Sequence, residues 1–220
     1  MKKRYSSFIL IAFVAMISSC SKDPIISTHD KVGTSKVTYY PTFTLTGSDI
    51  VSLVQGSAFT DPGIKASAGG ADIPVITTGT IDINTVGLYT LTYTATNVDG
   101  FSATASRTVV VIPSAEVPGV DLSGEYMTTG GTPNATITKV APGVYFTTNC
   151  WGNGSTAIIP AYFISADGAT AIVPLQTIPG VGRTQTTGPG TYVAGLISWE
   201  IVRLDFPGGA LVRDKTWQKL

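Results

Sequence analysis

Apolar and polar residues alternate without a break from Tyr89 to Thr96. Tyr89, Leu91, Tyr93 and Ala95 fall on one face, and Thr90, Thr92, Thr94 and Thr96 on the other. A period of two is that of a strand with one side on a core and the other in water. Asn97-Val98-Asp99-Gly100 follows as a hairpin loop, and Ser102 to Ile112 is the expected return strand. Upstream, Phe43-Thr44-Leu45-Thr46-Gly47 reads as a strand ending in a turn. Ile50 to Val54 is a second strand closed by Gln55-Gly56, and Asp61-Pro62-Gly63 is a turn by composition. Ile73 to Ile76 and Gly79 to Ile83 read as short strands around Thr77-Thr78. Strands separated by turns every ten residues or so predict a β-sandwich over residues 37–113.

Ser114-Ala115-Glu116-Val117-Pro118-Gly119 reads as a short linker at a domain boundary. Beyond it, residues 120–220 predict a second, less regular antiparallel β-domain, a sandwich or small barrel of about six to eight strands. Its expected strands are Ala135 to Val140, Gly143 to Cys150, Ala157 to Ile164, Ala171 to Leu175, Gly195 to Leu204 and Ala210 to Trp217. Turns are expected at Ala141-Pro142-Gly143, Ala166-Asp167-Gly168 and Phe206-Pro207-Gly208-Gly209. The Gly-, Thr- and Pro-rich stretch Ile178 to Thr191 predicts a long loop. No extended segment outside the extreme N terminus carries apolar residues at helical spacing, so the fold class is all-β.

The N terminus has a different texture. A basic head, Met1-Lys2-Lys3-Arg4, precedes an almost wholly apolar run from Phe8 to Met16, and then comes Ile17-Ser18-Ser19-Cys20. That is the layout of a secretory signal, and the run is short for a membrane span of about 20 residues. Ile17 to Cys20 resembles the lipobox of bacterial lipoproteins. The resemblance implies removal of residues 1–19 and attachment of diacylglycerol to the Cys20 thiol, with acylation of the new amine. Two or three acyl chains hold a protein to a membrane far more firmly than one. Residues 20–36 then read as a lipidated, polar tether. Asp23 resembles a fragment of the acidic export signal that follows the lipidated Cys in Bacteroidetes, although only Lys22-Asp23 is present.

Charge excludes several functions. Loss of Lys2, Lys3 and Arg4 leaves 11 basic residues against 14 acidic ones, a net charge of −3 for the mature chain. Nucleic-acid binding needs clustered Lys and Arg, and so does docking on anionic lipid. With Cys20 lipidated, Cys150 has no intrachain partner. Its alternation with Val144, Phe146 and Thr148 predicts burial rather than a reactive thiol. The single histidine, His29, lies in the tether. Neither a metal nor a cofactor is expected.

Two resemblances extend the expectation. Gly56 through Phe59 with Asp61-Pro62-Gly63, then Gly87-Leu88-Tyr89, Tyr93-Thr94-Ala95-Thr96-Asn97, Asp99-Gly100 and Ala105 to Val111, resemble bacterial Ig-like domains related to hyalin repeats. Many relatives carry an Asp-rich stretch after the Asp-Pro-Gly turn. Ser67-Ala68-Gly69-Gly70-Ala71-Asp72 offers one carboxylate, too few for calcium with its roughly six to eight oxygen ligands. Further on, Asp121-Leu122-Ser123-Gly124-Glu125-Tyr126, Ala135 to Val140, Gly143-Val144-Tyr145-Phe146 and Ile197-Ser198-Trp199 resemble the C-terminal domain of a family of Bacteroidetes surface lipoproteins. Members pair it with an upstream Ig-like domain. Their genes often sit beside starch-utilisation-type uptake systems, in which a substrate-binding lipoprotein caps a TonB-dependent outer-membrane transporter. The resemblance implies an outer-membrane, cell-surface location and partnership with such a transporter and its capping lipoprotein.

No catalytic constellation stands out. Glycosidases need two carboxylates across a cleft. The acids Asp121, Asp167, Glu200, Asp205 and Asp214 read as surface or turn residues, and only Glu125 is left without a role. A serine nucleophile elbow is absent. Aromatic residues carry more, because exposed rings stack on sugars and peptide side chains at little entropic cost. Trp151 stands in Asn149-Cys150-Trp151-Gly152-Asn153-Gly154-Ser155 and is either a ligand platform or a plug over one end of the domain. Its glycine neighbours favour the platform. Tyr145 and Tyr162 are the other candidate ligand contacts, while Trp199 and Trp217 sit in strand patterns and are expected in the core. The expectation is a non-enzymatic surface lipoprotein that contacts a glycan, a peptide or an uptake complex. The alternatives are an adhesin or pilus subunit and, further off, a degradative enzyme.

Overall fold

A computed structural model describes residues 37–128, 134–152 and 157–220. The signal, Cys20 and the tether with His29 lie outside the described residues. Strands are the only regular elements among those described.

The first region runs through β1 (Thr42–Leu45), β2 (Ile50–Val54), β3 (Ile64–Ala68), β4 (Ala71–Ile73), β5 (Val75–Thr78), β6 (Gly87–Thr96) and β7 (Ser102–Ile112). One sheet has the order β1-β3-β4 and the other β2-β7-β6-β5, with β2 parallel to β7 and every other pairing antiparallel. The long β6–β7 hairpin is the one the alternation predicts: Leu91, Tyr93 and Ala95 are buried. Two details differ. Ile64–Ala68 is a strand not among those expected: Ile64, Ala66 and Ala68 alternate with Lys65 and Ser67, but alanines mark an inward face only weakly. Gly79 to Ile83 is not a strand. A Cβ on Gly79 would stand 2.3 Å from the Thr90 carbonyl oxygen, so this stretch leaves the ladder at a close backbone approach that only glycine permits.

Arg107 holds the two sheets to each other. It lies on the inward parity of β7 and is fully buried. Its guanidinium donates to the carbonyls of Ser48 (2.7 Å), Thr46 (2.8 Å) and Gly63 (3.1 Å) and to the Tyr93 hydroxyl (3.2 Å). Nε also pairs with Asp61 at 3.3 Å. Tyr93 in turn donates to Asp61 Oδ2 (2.9 Å), and Gly63 N–H donates to Asp61 Oδ1 (3.1 Å). The Asp-Pro-Gly turn is therefore half of a latch. Gly63, at φ +90°, turns its carbonyl onto the buried cation.

The second region holds β8 (Gly124–Thr128), β9 (Asn134–Ala141), β10 (Val144–Thr147), β11 (Ala161–Ile164), β12 (Thr170–Ala171), β13 (Gln176–Ile178), β14 (Gly182–Thr186), β15 (Gly190–Val193), β16 (Leu196–Arg203) and β17 (Leu211–Lys219). They form one 10-stranded antiparallel sheet along the path β11-β10-β9-β8-β17-β16-β14-β13, with β15 joining β16 to β12. A bridge between Ile164 and Ile172 links β11 to the end of β12, so the sheet curls almost into a closed barrel. Trp199 and Trp217 are buried inside it, with Tyr126, Phe163 and Ile197.

Four expectations are corrected here. Ten strands stand where six to eight were expected, and of Ala171 to Leu175 only Ala171 lies in a strand. Residues 178–191 are not a long loop, because β14 lies within them and β15 begins at Gly190. The period of two in β14 is carried by Thr184 and Thr186, both buried, so an inward face exists without apolar residues to mark it. In the run 143–150 the inward parity is the opposite of the one expected. A register shift between Val144 and Tyr145 buries both, after which Tyr145 and Thr147 point inward and Phe146 and Thr148 outward. Cys150 is still buried, because the strand stops at Thr147.

A shared apolar seam joins the two regions. Val110 and Ile112 of β7 pack with Val144 and Ile164, flanked by Ile50, Val54, Leu88 and Val140. The stretch 114–119 runs along this seam. Val117 N–H donates to the Ala166 carbonyl (2.8 Å), and Glu116 pairs with Lys139 at 2.7 Å. Burying Val110, Ile112, Val144 and Ile164 in the seam contributes about 1.5–3 kcal/mol each.

Candidate functional site

Asn149 organises the loop that carries Trp151. Its side-chain oxygen accepts from the backbone N–H groups of Trp151 (3.0 Å), Gly152 (3.3 Å) and Ile159 (3.2 Å). The Trp199 indole donates to the Cys150 carbonyl at 3.1 Å. These bonds pull the loop into the end of the barrel. Gly152, at φ +45°, is pressed against the core: a Cβ there would stand 2.4 Å from Thr128 and 2.5 Å from Trp217.

Trp151 is 4% exposed. The Lys215 ammonium stands 4.7 Å from the ring centroid, and the Arg203 guanidinium 5.7 Å from it. Lys215 also donates to the Gly152 carbonyl (3.2 Å), and Arg203 lies 4.9 Å from the centre of Phe206. Burial, and secondarily the nearby Arg213, lower the Lys215 pKa. With this little exposure and cations packed on it, the indole offers no free surface to a sugar ring. The rim platform that its glycine neighbours favoured is a plug instead: the loop has no core of its own and folds into that of the barrel.

The other two candidates do not converge on it. Tyr145 is fully buried and stacks on Phe163 with centroids 5.2 Å apart. Its hydroxyl donates to the Val120 carbonyl (3.3 Å), and desolvation pushes its pKa up to about 12. Tyr162 is half-buried on the outer face, its ring 5.2 Å from that of its cross-strand neighbour Phe146. The Gln176 amide clips the adjoining edge, accepting from Tyr162 N–H (3.0 Å) and donating to its carbonyl (2.8 Å).

What the sequence does not disclose is a cleft of about 410 Å³ where the two β regions meet. Val86, Ile172, Pro174 and Leu175 supply an apolar lining, and Thr85, Gln185 and Thr186 add polar groups. Clefts of this size and mix, at junctions of structural units, are where small ligands bind. The lining comes from residues 85–86, 172–175, 185–186 and 188–189, partly from strand β14, so no local pattern marks it.

Most of the candidate carboxylates have structural work, while Glu200 and Asp214 stand opposite each other on β16 and β17. Asp121 accepts from Ser123 N–H (2.8 Å), and bonding to Ser123 lowers its pKa. Asp167 closes its turn by accepting from Ala169 and Thr170 N–H (2.9 and 2.8 Å). Burial raises its pKa, but these bonds outweigh it and the net shift is downward. Asp205 grips Arg183 through both oxygens, with a closest approach of 2.7 Å, which holds its carboxyl at about 2. Glu200 accepts from Thr187, and Glu125 is exposed on β8. No group of three or more metal-ligating side chains occurs among the described residues.

Cys150 is fully buried, and desolvation raises its thiol pKa to about 12. It should therefore resist maleimide at pH 8 in the native protein and react at once in denaturant. Fast native labelling, checked by a thiol titration with and without guanidinium, would contradict its place in the core.

The crystal structure of the lipoprotein BT2262 from Bacteroides thetaiotaomicron aligns with this chain at 25% identity and a TM-score of 0.41, covering 82% of this chain and 100% of that one. No curated protein matches the sequence. Residues 43–111, from β1 to the end of β7, match the family described as bacterial surface protein, Ig-like domain, and the Ig-like fold expected of that stretch is the one observed.

Proposed function

We propose that the chain is a lipid-anchored protein of the bacterial outer membrane, exposed at the cell surface. In this reading it binds a ligand without chemical turnover, as an accessory component of a TonB-dependent nutrient uptake system. The observation that carries it is the order of parts: a lipobox-like stretch at Ile17 to Cys20, then a stretch matching surface Ig-like domains, then an almost closed β-barrel. The junction cleft is the seat for a glycan or peptide fragment. Asp121, Asp167 and Asp205 support a non-enzymatic role, since they cap turns or hold Arg183. The transporter and its capping lipoprotein are the expected partners.

Cys20→Ser tests the anchor. Wild type should enter the detergent phase on partitioning and be shaved from intact cells by protease. The variant should stay in the aqueous phase. Equal partitioning of the two would remove the anchor, and protection of wild type from protease on intact cells would place it inside the envelope. For the ligand, Leu175→Asp in the cleft should weaken glycan or peptide binding at least about tenfold, a loss of about 1.4 kcal/mol. Unchanged binding would move the ligand site elsewhere.

A further inference from the structure

Residue 39 enters the Ig-like sandwich at the end where β6 turns into β7. Four large apolar or amphipathic side chains gather there in the open: Tyr39 is 59% exposed, Tyr40 60%, Val98 96% and Phe101 44%. They are held in place without a core. Asn97 donates through its side chain to the Tyr39 carbonyl (2.8 Å), and its side-chain oxygen accepts from the N–H groups of Asp99 (3.1 Å) and Phe101 (2.8 Å). Tyr40 and Phe101 meet edge to face with centroids 5.2 Å apart. Tyr39 lies so close over Gly69 that a Cβ there would stand 2.9 Å from its ring. Entry segment and hairpin tip are thus one braced unit that presents rings and an aliphatic wedge to solvent. Scattered apolar residues on a surface need no explanation, but a fixed contiguous group does.

The opposite end of the same hairpin is committed, since Leu88 of β6 and Ile112 of β7 belong to the seam with the barrel. Ten residues of strand rise about 33 Å, so the tip stands roughly that far from the seam. The chain that leaves the tip leads, nineteen residues upstream, to Cys20. A chain of that length spans no more than about 70 Å.

We propose that Tyr39, Tyr40, Val98 and Phe101 form a membrane-docking tip that rests in the headgroup layer of the bilayer holding the Cys20 lipid. This rests on the lipid-anchor reading. The occupant follows from chemistry and connectivity. Tyrosine rings are amphipathic and settle at the water–hydrocarbon boundary, while Val98 and Phe101 offer a shallow apolar wedge. Asp99 is the only charged residue in the Asn97 to Phe101 turn, so the tip suits zwitterionic rather than anionic headgroups. Four side chains alone would hold a membrane weakly. An anchor on the same chain makes the encounter intramolecular, and then a small patch is enough. Docking by the tip turns the Ig-like region into a spacer that sets the seam and barrel about 30 Å above the lipid.

The test uses the full-length lipidated protein in phosphatidylcholine vesicles that carry a nitroxide near the headgroup. Val98→Cys is labelled with a small fluorophore. Val193→Cys, on the barrel and 66% exposed, is the reference, and the buried Cys150 stays unlabelled. Both proteins should float with the vesicles. Quenching should be several-fold stronger at position 98 than at 193, and Phe101→Asp should bring it down to the reference level while flotation and tryptophan emission stay unchanged. Flotation with equal quenching at the two positions would overturn the docking tip and leave the anchor standing. That result is also expected if another protein or the preceding segment covers the tip. Failure to float would overturn the anchor and the docking with it.

Discussion

Arg107→Leu should lower the unfolding free energy by about 3–5 kcal/mol, the cost of removing one partner from a buried ion pair. The side chain is fully buried and serves three carbonyls, one hydroxyl and one carboxylate. Leucine fills part of the volume but leaves the carbonyls of Thr46 and Ser48 without their side-chain donor and Asp61 without its cation, while the Gly63 carbonyl keeps only the Thr46 N–H. Arg107→Lys should recover only part of the loss, because an ammonium cannot reproduce the planar fork that reaches Ser48 and Thr46 together. Tyr93→Phe removes one hydroxyl from the same latch and should cost about 1 kcal/mol. Urea denaturation of the three variants measures the series. A loss below about 1 kcal/mol for Arg107→Leu would mean that the sheets close without the latch.

Trp151→Ala should cost a similar amount, about 3–5 kcal/mol, as other buried tryptophan truncations do. The indole is part of the barrel core, and its loss would open a void beneath Lys215 and Arg203. Two cations would then face a cavity instead of a ring, so the change removes an electrostatic contact together with packing. Trp151→Phe keeps a ring in place and should cost less. A thermal melt decides between plug and platform: a midpoint that hardly moves, together with lost ligand binding, would restore the exposed platform.

Both positions show where sequence patterns carry information and where they stop. The strict alternation of β6 gave its register, its buried face and its hairpin partner, because each inward residue is apolar. Arg107 obeys the same parity rule, on one face with Ala105 and Val109, but a cation on an inward face carries no partner list. Lys215 does the same in β17, two residues before the buried Trp217. A charged residue in phase with a core face was the available signal for both. In β14 the signal was weaker still, since threonines do the inward packing. The register shift at Val144 reversed the faces of the following strand, which periodicity alone cannot foresee. Trp151 was ambiguous for a related reason: Gly152 and Asn149 read as loop residues, and they are, but the loop folds inward. The junction cleft was illegible because its lining joins residues 85–86 of the Ig-like region to residues 172–189 of the barrel, a pairing that only the tertiary fold makes.

The anchor carries the whole reading, since the location, the tether and the docking tip all start from Cys20. Mass spectrometry of the protein purified from its native membrane tests it most directly. The expected product begins at Cys20 and exceeds the mass of residues 20–220 by a diacylglycerol and an acyl chain. A mature N terminus at any other residue, or an unmodified Cys20, would contradict it.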